Sequence, residues 1–581
     1  MLPPEITRIV LLIALAATAY LMILAWNDDM EANRAPVGYS DAPLSADSVS
    51  SGPVQVADTP QNLAPTSQAQ GASDVPQDSL LVDQQATVNG AANVVASTVS
   101  TNQLITVETQ VLKLWIDLVG GDIVRVQLPQ YPVSLELQEV PFILLDRSAS
   151  GTYLAQSGLI GQDGPDSGGR ATYTTATPEL QVSSGDTQTL ILTTAIDGGR
   201  VDKIFTFRGD DYLVDLEYVL YNDSSLPKQA GMFTQIKRDS RPPPTDESFA
   251  LAPQPYLGAA FTTQEDNYLK IDFDDVDDDG KFESTEVGGW VAFLQHYFLS
   301  AWVAPESQTN RFYAQRLSDG TYAFGFTGPA QEVSPGQKGT WQAQFYAGPK
   351  DQKRLEEISP NLNLTVDYGF LWWVAVPLFY LLDWLYELVG NWGVAIILLT
   401  VVVKALLYPL SAAGYKSMAN MRRVAPAMKK LQERYGNDRE KLSKEMMALY
   451  QKEGANPLGG CLPMLLPMPI FIALYWVLFE SVELRQAPFF GWIEDLAVMD
   501  PYFILPLLMG ASMYWMQTLN PQVGDPMQIR MMKMMPIMFT VLFLFFPAGL
   551  VLYWLVNNIL SVAQQQYVYK QAEKAQAAKA G

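Results

Sequence analysis

The chain of 581 residues has one cysteine, Cys461, and one histidine, His296. A single cysteine excludes a disulfide framework and any cysteine-built zinc site. A single histidine excludes a His-rich metal cluster and argues against a Ser-His-Asp triad. Positive charge is scarce as well: 38 Lys and Arg stand against 61 Asp and Glu, a formal net charge of −23. A nucleic-acid binder relying on global charge is thereby excluded, because phosphate attraction needs a basic surface. No G-x-x-x-x-G-K-[ST] phosphate loop occurs either.

The charge is unevenly spread. Residues 391–581 carry 17 basic and 12 acidic residues, whereas residues 1–390 carry 21 and 49. An acidic region followed by a basic, very apolar one does not fit a uniform soluble enzyme. Residues 1–26 contain an apolar run, Ile9 to Trp26, long enough to cross a bilayer at ~20 residues per ~30 Å. Asn27, Asp28 and Asp29 follow it directly, with no small-residue cleavage site, so it reads as an uncleaved anchor. Residues 27–103 are rich in Ala, Ser, Gln, Asp and Pro, with Arg34 as their one basic residue, and read as a flexible acidic linker.

Residues 104–348 change pattern. Runs such as Leu104-Ile105-Thr106-Val107-Glu108-Thr109 and Tyr212-Leu213-Val214-Asp215-Leu216-Glu217-Tyr218 alternate with period two between turn residues. This predicts a large all-β, two-sheet sandwich. Within it, Asp275, Asp277, Asp279, Gly280 and Glu286 match the spacing of a calcium loop. The flanks read as strands instead of helices, which favours an acidic hairpin tip and leaves calcium binding open. His296 reads as a packed residue.

Residues 349–390 form a connector whose Leu371–Val389 segment is interrupted by Pro377 and carries Tyr380, Asp383 and Glu387 at helical spacing. Trp372, Trp373 and Trp384 prefer the membrane–water boundary, so this reads as an amphipathic helix lying in the interface. Spans are predicted at Trp392–Leu410 (in region 391–410) and at Leu458–Phe479, Tyr502–Leu519, Met534–Phe546 and Gly549–Gln564 (in region 457–566). Between them, residues 411–456 hold ten basic and five acidic residues and read as a cytoplasmic helical hairpin, Met418–Tyr435 and Arg439–Glu453. Residues 567–581 read as a basic cytoplasmic tail. Had Leu371–Val389 also crossed, the basic loop would lie outside, against the charge rule. The fold class is therefore a polytopic α-helical membrane protein, an N-terminal anchor plus five core helices, with a large exported all-β domain and both termini cytoplasmic.

One residue stands out in the apolar half. Lys404 lies twelve residues into the second span, ~18 Å from Trp392. A charge there costs at least ~2.5–3.5 kcal/mol. Thr400, Lys404, Tyr408, Ser411 and Tyr415 recur at helical spacing, which predicts a polar stripe on one face. Gln517, Asn557 and Asn558 are further polar candidates, and no span offers Lys404 a carboxylate at similar depth. An unpaired cation on a polar stripe implies a water-filled cavity. Met464, Met468 and Phe471 share one side of the third span, a polarizable surface suited to varied apolar partners.

Asn391-Trp392-Gly393, Asn456-Pro457-Leu458-Gly459-Gly460-Cys461, Met468-Pro469-Ile470-Phe471 and Phe546-Pro547-Ala548-Gly549-Leu550-Val551-Leu552-Tyr553 resemble the YidC membrane-protein insertase family of Gram-negative bacteria. The resemblance implies an inner-membrane insertase and chaperone with a periplasmic β-supersandwich. It implies a groove open to cytoplasm and lipid, and work alone or with the Sec translocon. The partners implied are nascent membrane proteins, the ribosome and the phospholipid bilayer, with no direct nucleic-acid contact, no cofactor, no metal and no catalysed bond change. The family usually has arginine where Lys404 stands, and the charge survives without the bidentate fork. Groove and client-contact roles carry over onto Thr400, Met468, Phe471 and Tyr553. The competing expectation is a secondary transporter using Lys404, but no intramembrane carboxylate or internal repeat is visible. A mutarotase-like enzyme in the β domain would need a His or a carboxylate pair in a cleft.

Overall fold

The computed structural model describes residues 75–76, 104–148, 151–242, 255–435, 438–453, 466–519 and 526–580. The predicted anchor, nearly all of the linker, Cys461 and Met464 lie outside these residues.

Two antiparallel-dominated sheets face each other between Leu104 and Pro349, one of eleven strands and one of eight. The alternation that predicts them is seen in their burial. In Gly199–Arg208, Val201, Phe205 and Phe207 point inward and their neighbours outward. The core between the sheets buries Trp302, Tyr218, Phe293 and Phe324, among others. Burying each such ring contributes about 1.5–3 kcal/mol. Lys203 takes an inward position where a hydrophobe is expected, and it is fully buried. Its ammonium donates to the carbonyls of Gly120 (3.0 Å), Gly121 (2.8 Å) and Ser157 (3.4 Å), which ties the two sheets together.

The acidic segment is not a calcium loop and not a hairpin tip. Phe273–Asp279 is a short helix, α1. Asp272 and Asp275 cap it reciprocally, each side chain accepting from the other's backbone N–H. Asp277 is spent on Arg316 and Tyr322, and Glu286 on Gln264 and Ser284. Among the described residues no group of three or more metal-ligating side chains is placed to hold an ion. The strands on either side pair into different sheets: Leu269–Ile271 joins the eight-stranded sheet and Phe282–Val287 the eleven-stranded one.

After the β domain come nine helices among the described residues. They are α2 (Gln352–Ile358), α3 (Trp372–Val389), α4 (Trp392–Leu406), α5 (Tyr408–Tyr435), α6 (Arg439–Glu453), α7 (Met468–Glu480), α8 (Ile504–Leu519), α9 (Pro526–Phe543) and α10 (Ala548–Ala580). The second predicted span is broken: α4 and α5 meet at a 68° bend. α10 does not stop at the predicted tail but continues as helix through it. α5 and α6 form the basic hairpin around Met421, Val424 and Met428, and Asp438 caps α6 through the N–H of Lys441. Gly510 lets α8 approach α9 closely, for a Cβ there would overlap the Thr540 hydroxyl.

By length and apolarity, the segment containing α3 is long enough to cross a membrane. Its polar groups point elsewhere: Asp383 (2.7 Å) and Glu387 (3.9 Å) pair with Lys353 of α2. Trp372, Trp373 and Trp384 are exposed on its surface.

The β domain and the bundle share one apolar core, from Trp290 and Tyr346 to Leu382, Ile396 and Leu474. Polar clamps reinforce the junction. Lys350 and Glu480 form an ion pair at 3.2 Å, with side chains only 3% and 5% exposed. His296 Nε2 donates to the carbonyl of Phe479 (2.8 Å) at the end of α7, and Arg485 donates to Pro132 and Val133. Burial pushes the imidazole down to about 3, Lys350 and Arg485 adding to the shift while its bond to Phe479 opposes it.

Two outcomes follow. Lys350→Met strands the Glu480 carboxylate in the junction and should cost about 3–5 kcal/mol in chemical denaturation, while Lys350→Met with Glu480→Leu regains most of it. For His296 the folded value lies below the unfolded ~6.5, so its contribution is whole above pH 6.5 and is lost as pH falls toward 3. Unfolding titrations should show wild type losing about 1–2 kcal/mol more than His296→Phe between pH 7 and pH 5.

Candidate functional site

The helices share a common floor at the β domain. The loop between α7 and α8 holds it: Asn391, capping α4, reaches the carbonyl of Phe489 (3.3 Å), and Ala548 of α10 donates to Val498 (2.7 Å). Asp500 accepts from Trp492, Tyr502 and Leu505, the last at the start of α8. Depth can be counted from that floor at ~1.5 Å per residue. Lys404, twelve positions beyond Trp392, lies ~18 Å in; Ser561, thirteen beyond Ala548, ~20 Å; Met468, twelve before Glu480, ~18 Å. Three helices thus bring these residues to one level above the floor.

At that level the Lys404 side chain turns inward and is only 5% exposed. Its ammonium donates to Ser561 Oγ at 2.7 Å, and Ser561 passes its own proton to the carbonyl of Asn557 (2.6 Å). Gln564 donates to the Lys404 carbonyl at 3.4 Å, and its own Oε1 is buried without a hydrogen-bond partner. The ammonium carries three donors and finds one acceptor among the described residues. No carboxylate lies against it among those residues; the ion pairs nearest in sequence belong to the junction with the β domain and to the hairpin.

The polar stripe is only partly formed. Thr400 is buried and donates back to Ile396 (2.7 Å) within its own helix. Lys404 follows it one turn later. The bend after α4 then carries Tyr408, half-buried, and the buried Ser411 and Tyr415 onto the differently directed α5. One continuous face of a straight helix is therefore not what joins these five groups.

Gln517 and Asn558 are spent elsewhere. Gln517 donates to the carbonyl of Met532, linking the ends of α8 and α9, and Asn558 donates to Ser512 of α8 (3.0 Å). Asn557 is buried on α10 and accepts from Ser561 through its carbonyl. Ser561 itself was not singled out from the sequence. Its signal was available: Asn557, Ser561 and Gln564 recur at spacings of four and three, a polar row on one side of α10.

Closer to the floor, Phe471 sits among aromatic rings, 4.5 Å from Trp554, 5.9 Å from Phe543 and 6.4 Å from Tyr553 between centroids. Tyr553 is 1% exposed and lies beneath Phe471, so it is part of a packed plug. Met468 and Phe471 are half-buried, and Met531, Met534 and Met538 of α9 are exposed. The arrangement is a buried cation level with a Met-bearing helix, closed toward the β domain by rings. No nucleophile–base pair is among the residues assembled here.

Two family models match the chain: the YidC periplasmic domain over residues 104–381 and the 60Kd inner membrane protein over residues 384–576. The membrane protein insertase YidC of Stutzerimonas stutzeri (strain A1501) is 48% identical over 571 residues, 98% of this chain and 99% of that one. That of Azotobacter vinelandii (strain DJ / ATCC BAA-1303) is 47% identical over 578 residues, 98% and 99% of the two chains. A solved active YidC insertase with its first transmembrane domain resolved is 18% identical, covering 80% of this chain and 92% of that one at a TM-score of 0.36.

Removing the ammonium's acceptor should be costly. Ser561→Ala is expected to lower stability in detergent by about 1.5–3 kcal/mol, the range for hydrogen bonds to charged groups. Adding Lys404→Met to that variant should restore most of it, which thermal unfolding of the two variants would check.

Proposed function

Because the chain belongs to the YidC family of membrane protein insertases, we propose that it moves nascent hydrophobic segments into the inner membrane past the Lys404 level. The family places it in the inner membrane with the β domain in the periplasm, and its relatives are named as insertases, not for a chemical reaction. The observation that carries the mechanism is the buried ammonium with two donors to spare, beside the unpartnered Gln564 oxygen. Such groups at mid-membrane depth call for water or for a polar group of a passing client.

A hydrated cationic groove shortens the apolar barrier. An acidic residue at the bilayer centre costs about 2.5–3.5 kcal/mol on insertion scales. A short polar tail carrying one therefore gains most from meeting Lys404. Its following apolar stretch slides along Met468, Phe471 and the exposed methionines of α9 into lipid, driven by burial of apolar surface. The ring plug around Phe471 and Tyr553 keeps the groove closed toward the periplasm.

The basic hairpin α5–α6 and the basic end of α10 belong on the cytoplasmic side with both termini, where ribosome and nascent chain arrive. α3 lies in the outer interface, its carboxylates held by Lys353 and its tryptophans at the headgroups. In this reading the protein works alone or with the Sec translocon.

Reconstituted vesicles test the charge. Lys404→Glu should slow insertion of a client with an acidic tail roughly ten- to hundredfold, and Lys404→Arg should retain it. Full activity of the glutamate variant would remove the charge-attraction step.

A further inference from the structure

Among the described residues the two sheets end on four strands, three of them blunted, and Gln331–Val333, off the main path, adds only a three-residue edge. Glu179–Gln181 and Leu269–Ile271 are three residues each, and Phe282–Val287 carries Glu283 and Glu286. The fourth, Thr187–Ile196 at the end of the eight-stranded sheet, runs for ten residues as Thr-Gln-Thr-Leu-Ile-Leu-Thr-Thr-Ala-Ile, without a charge or a proline. Long uncharged edges template pairing with another strand, and folded proteins ordinarily guard them.

The direction of the free backbone groups follows from the register. Thr193 exchanges both hydrogen bonds with Thr174 (2.8 and 2.9 Å) on the side away from Gly199–Arg208. In an antiparallel ladder alternate residues turn their N–H and C=O the same way. Thr187, Thr189 and Ile191 therefore present theirs outward, where they have no partner among the described residues. Ile191 is 48% exposed.

Where this edge begins matters as much. Thr187 lines a cleft of about 630 Å³ walled by Tyr131, Tyr212, Asp186, Asp210 and Asp351, with Arg354 at its α2 side. Both arginines of the cleft are already committed, Arg354 to Asp211 (2.5 Å) and Glu357 (2.9 Å) and Arg208 to Asp215 and Asp211, while Asp186, Asp210 and Asp351 pair with no cation among the described residues, so the open charge of the cleft is negative. Lys353, next along α2, is the residue that grips α3 and its exposed tryptophans. Cleft and edge are thus continuous and start at α2.

We propose that Thr187–Ile191 accepts an extended polypeptide as a ninth strand of this sheet, with a Lys or Arg of that segment seated in the acidic cleft. Main-chain pairing supplies affinity without demanding a sequence, and the carboxylates set direction and a preference for a basic flank. Its source is the exported segment of a client, which rests on the insertase reading. The binding itself does not, because it is measured without insertion.

The test uses the full chain in lipid nanodiscs and a fluorescein-labelled peptide of two lysines followed by alternating Thr and Val. Saturable binding is expected by anisotropy. Ile191→Pro, which removes only an outward N–H, should weaken it about tenfold or more. A peptide N-methylated at alternate backbone amides should not bind, and Asp186→Asn should weaken the lysine-led peptide but not a glutamate-led one. Equal binding of the N-methylated peptide or of the Ile191→Pro variant overturns the proposal. So does slow hydrogen exchange at the Ile191 amide of the free chain, which would mean that its own chain covers the edge. A concentration-dependent dimer lost on Ile191→Pro overturns it too, by giving the edge to a second copy. A client that inserts normally despite Lys404→Glu would sink the groove mechanism and leave these readouts standing.

Discussion

A positive charge kept ~18 Å inside an apolar bundle constrains everything around it. Lys404 cannot be answered by lipid, and among the described residues no carboxylate answers it. The chain offers a hydroxyl, Ser561, whose own proton is already given to the Asn557 carbonyl. That is enough to hold the ammonium in place but not to saturate it. A carboxylate partner would make a dry, closed ion pair, stable and inert. A lone serine leaves two of the ammonium's three donors without an acceptor among the described residues. Rings at Phe471, Tyr553 and Trp554 seal the level nearer the β domain.

The β domain matters to this arrangement because it fixes the floor from which the helices rise. Lys350–Glu480, His296–Phe479 and Arg485 with Pro132 all clamp the segment around the end of α7. A buried ion pair of this kind adds little net stability over an apolar pair, but it tolerates no single loss. The junction is therefore specific rather than strong, and it sets the height of Met468 relative to Lys404.

Much of this was legible in the residues. Period-two alternation gives the sandwich, because strands with one buried face must alternate. Lys404 announces itself because a charge in an apolar run is expensive. What was not legible is whatever depends on a partner far away in sequence or on local competition. Ser561 becomes visible only once α10 is laid against α4. The bend after Leu407 takes Tyr408 and Ser411 off the helix that carries Lys404, although their spacing fits it. Asp275 satisfies a calcium-loop pattern and a helix cap equally well on paper. The cap wins because Asp272, three residues earlier, pairs with it reciprocally. Gln517 and Asn558 have the right chemistry and depth but are consumed in joining helices.

α10 runs unbroken from Ala548 to Ala580, 33 residues and about 50 Å. One end is pinned at the floor by Val498, and Ser561 sits roughly two fifths of the way along. A rod so held is a lever. A sideways push of about 5 Å at its far tip swings it through some 6° and shifts the serine hydroxyl by about 2 Å, on the geometry of a straight helix. That is more than a hydrogen bond of 2.7 Å can stretch and survive. For a rod pivoting only at the floor, load at the outermost turn would reach the cation about 30 Å away; the bonds from Asn558 to Ser512 and from Gln564 to the Lys404 carbonyl are what resist that swing.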